Sequence, residues 1–488
     1  MDTFDVVIVG SGPGGSSAAT FCARKGLSTV FLDKEDFPRD KVCGDGLTPQ
    51  AIYWLDELGC VDEVLGITKS CIKTCDLYLD GQFLLTGGFP QESKYPDFVV
   101  LLDRRRFDHL LMLNACQNGA EFRPHHKAVA VEWEKDGAVV VCRSGDKTVR
   151  VKGRVVIGAD GVSSVVSRAI GNTLKNGVTA VSLRSYYSGV SFERSPIKVY
   201  FDREYFPGYG WIFIDDEGFA NVGLGYAFDN NFPVMPDLRK MFRKFIERDL
   251  GGMLAGASQC GRISGGSASF YKPRSIVADR VMLIGDAANQ TDPLNGGGIH
   301  KAMEGAYAAA EAAARALATG DFSRQTLQLY ENLWSDEFEL DRRSGELLLS
   351  IAKNPHIREF SLFVLENIGK LTVNDRRFQD FCAGVFSGVI AQSACLSPAA
   401  LMQVIPRDVH AWFSLLKEGE KGHFHSPLGM ANTALSGLSR VGYRMAADPL
   451  TNLDWGLEVL TKAVQWVDYR LGAEGNSRTV NSFYQQPF

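Results

Sequence analysis

The turn Val7-Ile8-Val9-Gly10-Ser11-Gly12-Pro13-Gly14-Gly15 narrows the fold of this 488-residue chain more than any other stretch. Thr3 to Val9 is an apolar run of strand length, and Gly10, Gly12 and Gly15 follow it at G-x-G-x-x-G spacing. Ser16 to Lys25 is Ala-rich and reads as a helix closed by Gly26; Ser28 to Leu32 is a second strand ending on Asp33. Strand, tight turn, helix and strand within about 30 residues make a βαβ unit that holds a dinucleotide. Gly10 allows the turn, Gly12 lets backbone approach a pyrophosphate, and Gly15 lets the helix pack on the strand. The helix start near Pro13 offers free N–H groups to phosphate. Asp33 is placed to accept hydrogen bonds from ribose hydroxyls. Lys34 and Arg39, just downstream, join the same candidate site.

Two distant boxes make the reading more specific. Arg154 to Ile157 is a buried strand running into Gly158-Ala159-Asp160-Gly161. Val281 to Ile284 is another, running into Gly285-Asp286 and then Pro293, Gly296, Gly297, Gly298 and a helix from Ile299. A carboxylate at a strand end, as Asp160 and Asp286 would be, can bind ribityl hydroxyls. The triple glycine lets a flat ring system lie on backbone, and the helix start offsets negative charge on that ring. One glycine turn can hold any dinucleotide; a glycine turn followed by two acidic boxes in this order points to FAD. Arg104 opens a helix with three consecutive arginines, which opposes the helix dipole. The cofactor phosphates are the expected anionic partner.

The expected architecture is α/β (α+β): a Rossmann-like FAD-binding domain interrupted by an antiparallel-sheet substrate domain, followed by a helical C-terminal region. The expected boundaries assign 1–75, 98–175 and 277–324 to the FAD-binding domain. They assign 76–97 and 176–276 to the substrate domain and 325–488 to the helical region. Lys127 to Trp133, Ala138 to Ser144 and Thr148 to Lys152 read as a three-stranded antiparallel piece. Ala180 to Val190, Ile197 to Phe201, Gly210 to Ile214 and Phe219 to Tyr226 read as the substrate sheet. Pro236 to Asp249 interrupts it as a helix.

Composition excludes little else. A formal net charge of −5 gives no basic face for nucleic acid. Ten scattered cysteines with no C-x-x-C pair suggest free thiols and a reducing, cytoplasmic setting. His125-His126 and His423/His425 lack partners at ligand spacing, so no metal is expected. Phe381 to Pro406 carries no charge. Its glutamines, serines and Pro398 favour a buried helix with a break near Ser397, and peripheral membrane contact stays open.

The three boxes together resemble the para-hydroxybenzoate hydroxylase-type flavoprotein superfamily. Lys41-Val42-Cys43-Gly44-Asp45-Gly46-Leu47 is similar to the K-x-C-G-x-G-L segment of its geranylgeranyl reductases. Phe206-Pro207-Gly208-Tyr209-Gly210-Trp211-Ile212-Phe213 is similar to their lipid-pocket stretch. The resemblance implies that Tyr209, Trp211 and Phe213 line the substrate cavity, and that Cys43 lies near the flavin. Cys43 and Tyr209 become the catalytic candidates, and Asp45 joins them as a candidate proton donor. Ile214 stands where the family has proline, and the C-terminal region has no match. The implied activity is reduction of carbon–carbon double bonds in a prenyl or similarly apolar, free or carrier-bound, substrate. Electrons would come from NADPH or from reduced ferredoxin as a redox partner. The alternatives are a monooxygenase or halogenase, with Lys69 or Lys73 as halogenating lysine, and a flavin-free prenyl-binding escort.

Overall fold

The computed structural model describes residues 1–488 except 69–70, 91–92, 173–178, 193–194, 229–235, 271–274, 359–360, 363–364, 367–374, 397–448 and 476–488. The chain opens with β1 (Asp2–Val9), α1 (Pro13–Arg24) and β2 (Thr29–Leu32). Next come β3 (Gly46–Leu47), α2 (Pro49–Glu57), α3 (Val61–Ile67), β4 (Thr74–Leu79), β5 (Gln82–Gly88) and β6 (Val100–Leu101). α4 (Arg104–Gln117), β7 (Glu121–Arg123), β8 (Lys127–Glu134), β9 (Gly137–Ser144), β10 (Lys147–Gly158) and α5 (Val165–Ala169) follow. The second half of the sheet structure is β11 (Ala180–Ser188), β12 (Ile197–Phe201), β13 (Gly210–Ile214), β14 (Ala220–Ala227), α6 (Leu238–Asp249) and β15 (Ser258–Ala268). β16 (Val277–Ala278) and β17 (Val281–Leu283) lead to helices α7 (Ile299–Thr319), α8 (Arg324–Ala352), α9 (Arg376–Ser387) and α10 (Pro449–Gly475).

An eight-stranded sheet runs β16-β17-β10-β1-β2-β7, with β9 and β8 added beyond β10. Its central strands β17, β10, β1, β2 and β7 are parallel. Val6–Val9, Val30–Leu32 and Val155–Ile157 are buried throughout, as strands covered on both faces must be. Helices α1 and α7 pack on this sheet and on each other through small residues such as Ala18, Ala306 and Ala309. A seven-stranded sheet, β15-β11-β14-β13-β12-β4-β5, stands apart from it. It is antiparallel except where β12 meets β4.

Several expectations shift. α1 starts at Pro13, not Ser16, because proline suits the first helical position. Thr148–Lys152 and Arg154–Ile157 are one strand, β10, which continues through Gly153. A side chain at Gly153 would press on Val155 O at 2.7 Å and Val7 Cγ2 at 2.9 Å, so glycine marks close packing rather than a break. Pro236 lies outside α6, whose N-cap is Asp237. β6 has only two residues, paired with β3 and outside both large sheets. The expected boundary at 75/76 falls inside β4. The uncharged stretch from Phe381 breaks earlier than expected, at left-handed Gly388; residues from Ser397 onward in it lie outside the described residues, as do His423 and His425. Among the described residues no His, Cys, Asp and Glu group could hold a metal, and the described cysteines are free.

Candidate active site

Strand register brings the three boxes together. Val9 lies beside Leu32 and Gly158, and Gly158 beside Leu283. The glycine turn, Asp33, the Asp160 box and the Asp286 box therefore leave neighbouring parallel strands at one level, where doubly wound sheets bind ligands. A cavity of about 660 Å³ opens there.

The glycines are required by approach distances. A Cβ on Gly15 would sit 1.9 Å from the Gly10 carbonyl oxygen, and Gly10 itself has φ +96°. Gly12 is different: its nearest neighbour would be Arg39 Nη2 at 3.8 Å, so it faces open space. Helix caps tell the same story. Thr48, Asp103, Ser164, Asp237, Ser323 and Asp375 each cap a helix with a side chain. α1 and α7, whose starts line the cavity, begin at Gly12 and Gly298 with no side-chain cap. Their first N–H groups stay available to an anion. These features fit a dinucleotide pyrophosphate at α1 and an anionic ring edge at α7.

Asp33 Oδ2 accepts from Ser11 Oγ at 2.5 Å and Ser11 N at 3.1 Å, and Arg39 lies 3.5 Å away. Lys34 lines the rim of the cavity. Arg104 is buried and gripped by Asp108 at 2.6 and 2.8 Å. Asp108, one turn on, is thus the anion that balances the arginine at the helix start. Arg104 still lines the cavity and contacts Cys43. The Asp160 carboxylate is engaged by its own turn: Ser164 Oγ donates at 2.5 Å and Val165 N at 2.6 Å. It holds Gly161, at φ +77°, against the cavity. Asp286 accepts from Thr291 and pairs with Lys41 at 3.0 Å. Burial works to raise its carboxyl, but Lys41, Thr291 and Arg104 outweigh that and hold it below its usual value.

Gly285, Pro293, Gly296, Gly297, Gly298 and Ile299 all line the cavity. Tyr209 Oη donates to the Asn295 carbonyl in that loop. Tyr209, Trp211 and Phe213 form a continuous aromatic wall, with ring centroids 6.0 and 6.4 Å apart. Phe213 and Trp211 press on Gly44, where an added Cβ would be 2.9 Å from Phe213 Cε2. Beyond the wall lie Cys75, Phe89, Val99, Ile197 and Val199.

Other residues of the site gave no warning in the sequence. Asn221 on β14 donates to the Cys43 carbonyl at 2.8 Å and to Asp45 at 2.7 Å, while accepting from Trp211 Nε1 at 2.9 Å. Tyr186 also donates to Asp45, at 2.6 Å. Burial pushes the Asp45 carboxyl up to about 6 against those hydrogen bonds. His300, next to the triple glycine, is held neutral: burial and neighbouring Lys301 lower its imidazole to about 3. α9 closes one side: Phe386 meets Tyr209 at 5.5 Å, and its carbonyl accepts from Asn295 Nδ2 at 2.8 Å. Lys73, by contrast, is exposed, pairs with Asp97 and does not line the cavity; Lys69 lies outside the described residues.

An FAD binding domain family matches residues 3–232. A digeranylgeranylglycerophospholipid reductase of Methanothrix thermoacetophila is 33% identical over 343 residues, covering 68% of this chain and 83% of that protein. The chain belongs to the geranylgeranyl reductase family. It is an FAD-dependent oxidoreductase. Within that family's reach lies a menaquinone reductase of Mycobacterium tuberculosis, 32% identical over 370 residues, with 71% of this chain and 84% of that one covered. The solved structure of a geranylgeranyl bacteriochlorophyll reductase-like protein from Thermoplasma acidophilum superposes with a TM-score of 0.64 at 25% identity, covering 85% of this chain and all of that one. A flavin-dependent brominase superposes with a TM-score of 0.66 at 19% identity, over 84% of this chain and 99% of that one, which shows a common fold.

Proposed function

We propose that this family member reduces carbon–carbon double bonds in a prenyl chain or a similarly apolar substrate. The observation that carries the reading is the cavity itself, which joins the FAD boxes to an apolar compartment through the wall of Tyr209, Trp211 and Phe213. Reduced FAD, when bound there, supplies the hydride. The α1 N-terminus and Gly12 would hold its phosphates, Asp33 its ribose, and the Pro293–Gly298 loop its ring. The aromatic wall orients the alkene and keeps water out. Tyr209 is buried, which raises its hydroxyl above the usual range, so it stays protonated. Its O–H is directed to Asn295, which fixes the ring beside the loop. Cys43 also lines the cavity, and its Sγ is the proposed proton source.

Among relatives, the names of the matched proteins include digeranylgeranylglycerophospholipid and menaquinone reductases. Substrates of that kind are drawn from a bilayer, which supports peripheral membrane contact by a cytoplasmic enzyme. No described helix is long and apolar enough to cross a membrane. NADPH or reduced ferredoxin is the proposed electron source, since no second G-x-G-x-x-G follows a strand. The test is anaerobic. Enzyme reduced with dithionite should add the mass of two hydrogens per double bond to a polyprenyl substrate. Substrate left unchanged there, with an oxygen atom from labelled oxygen gas appearing in the product of an aerobic reaction, would exclude the reading and favour a monooxygenase.

A further inference from the structure

α10 lies against α8 with one face and turns another to solvent. Polar tips anchor the inner face. Trp455 Nε1 donates to the Ser350 carbonyl at 2.8 Å and Trp466 Nε1 to Ser344 Oγ at 2.8 Å. Tyr469 Oη reaches the Ser335 carbonyl at 3.1 Å and Lys462 Nζ reaches Ser350 Oγ at 2.6 Å. These four contacts, spread along the helix, fix its rotation. What remains outward is Leu453, Leu457, Leu460, Val464, Val467 and Leu471, each between 44% and 61% exposed.

The spacing of those six residues alternates four and three. That is the 3.5-residue repeat of coiled-coil a and d positions. At 3.6 residues per turn they fall within about 80° of the helix circumference. An amphipathic helix lying in a bilayer presents a broader apolar face with a Lys/Arg-rich border. Here one border is Asp454, Thr461 and Asp468, and the other is Gly456, Ala463 and Arg470. Two acids against one base repel anionic headgroups. A narrow seam asks for another helix, and the small residues of the second border leave it room: a Cβ added at Gly456 would meet nothing within 4 Å.

Charge decides the orientation. In a parallel pair Asp468 of each helix faces Ala463 of the other, and no two acids of the borders meet. In an antiparallel pair the acidic border would face itself, setting Asp454 against Asp468. We propose that α10 is a homodimerisation helix, pairing in parallel with the same helix of a second copy of this chain about a two-fold axis. The seam is about 28 Å long. That is short beside a standard interface of about 800 Å² per partner, so the dimer is expected to dissociate in the micromolar range.

Sedimentation equilibrium of the full chain between about 1 and 100 μM should show the mass rising from 53.5 kDa towards twice that value. The double variant Leu457→Lys/Val464→Asp changes only exposed positions. It should raise the dissociation constant about 100-fold while leaving flavin content and circular dichroism unchanged. Oxidised Leu457→Cys and Leu471→Cys should each give a disulfide-linked dimer absent from the parent chain, because parallel pairing sets each a position against itself. A chain that stays monomeric at 100 μM overturns the proposal. So does a dimer indifferent to the charged double variant, or a seam that instead carries the chain onto phosphatidylcholine/phosphatidylglycerol vesicles.

Discussion

Gly223→Ala is a sharp test of how the aromatic wall is held. Gly223 on β14 lies directly opposite Trp211 on β13. A Cβ there would sit 2.0 Å from Trp211 Cζ2 and 2.3 Å from Cε2. Carbon atoms settle near 3.5 Å, so the indole must retreat by about 1.5 Å. Its Nε1 is bonded to Asn221 Oδ1 at 2.9 Å, and that retreat breaks the bond. Overpacking costs about 1–3 kcal/mol and a lost hydrogen bond with a buried acceptor about 1–2 kcal/mol more, so roughly 3 kcal/mol is expected. Gly225→Ala is the control. It projects from the same face of the same strand, but its Cβ would meet Trp211 Cζ3 at an ordinary 3.9 Å. Guanidinium unfolding followed by near-ultraviolet circular dichroism should separate the two variants by about 2–3 kcal/mol. Bound flavin should be equal, while turnover of a polyprenyl substrate falls only in Gly223→Ala. Two variants that match in stability and turnover would refute the account of Trp211 as a packed, hydrogen-bonded wall.

Four further substitutions have outcomes set by the geometry. Gly15→Ala drives a Cβ into the Gly10 carbonyl and should purify without flavin, measured as the absorbance ratio at 450 and 280 nm. Gly26→Ala, where nothing lies within 4 Å, should keep its flavin and lose only about 1 kcal/mol for its positive φ. Asp45 titrates higher in the fold, at about 6, than in an unfolded chain, so its stabilising contribution is complete below about pH 4 and lost as pH rises towards 6. Asp45→Asn should flatten a decline of about 3 kcal/mol over that window, read from urea unfolding at stepped pH. Lys301→Met leaves the buried Asp292 with Gln392 but without its cation. It should destabilise the chain by about 3–5 kcal/mol and weaken flavin retention, both read in one thermal scan with flavin fluorescence.

What the sequence exposes and what it hides follows from how local each demand is. Gly10 and Gly15 are legible because the strand–turn–helix that needs them is itself only a few residues long, and no other residue type clears the distances. Asp33 and Asp286 are legible because parallel strands set their ends at one level. β15 escaped notice for the opposite reason: it is an edge strand built mostly of glycines, serines and polar residues, none of them buried, so its alternation carries no hydrophobic mark. Arg104 meets an anion within its own helix, since Asp108 one turn on pairs with it, and the arginine still lines the cavity.

The network around Asp45 is a harder case, and it shows where function in this chain resides. Asp45, Tyr186 and Asn221 belong to three segments more than 30 residues apart; Asp45 stands out as a candidate proton donor, while Tyr186 and Asn221 look ordinary in their own stretches. They meet because β11 and β14 are neighbours in the second sheet and that sheet rests on the Cys43–Gly46 strip. Asn221 then touches Trp211, Asp45 and the Cys43 carbonyl together. The cofactor side of the site is written in glycines that neighbouring backbone dictates. The aromatic wall depends on contacts between the second sheet and the Cys43–Gly46 strip, where only the assembled fold supplies the partner. A variant at Asn221 should therefore disturb the Cys43 strip and the aromatic wall at once, whereas a variant in the glycine turn should empty the flavin site and leave the wall standing.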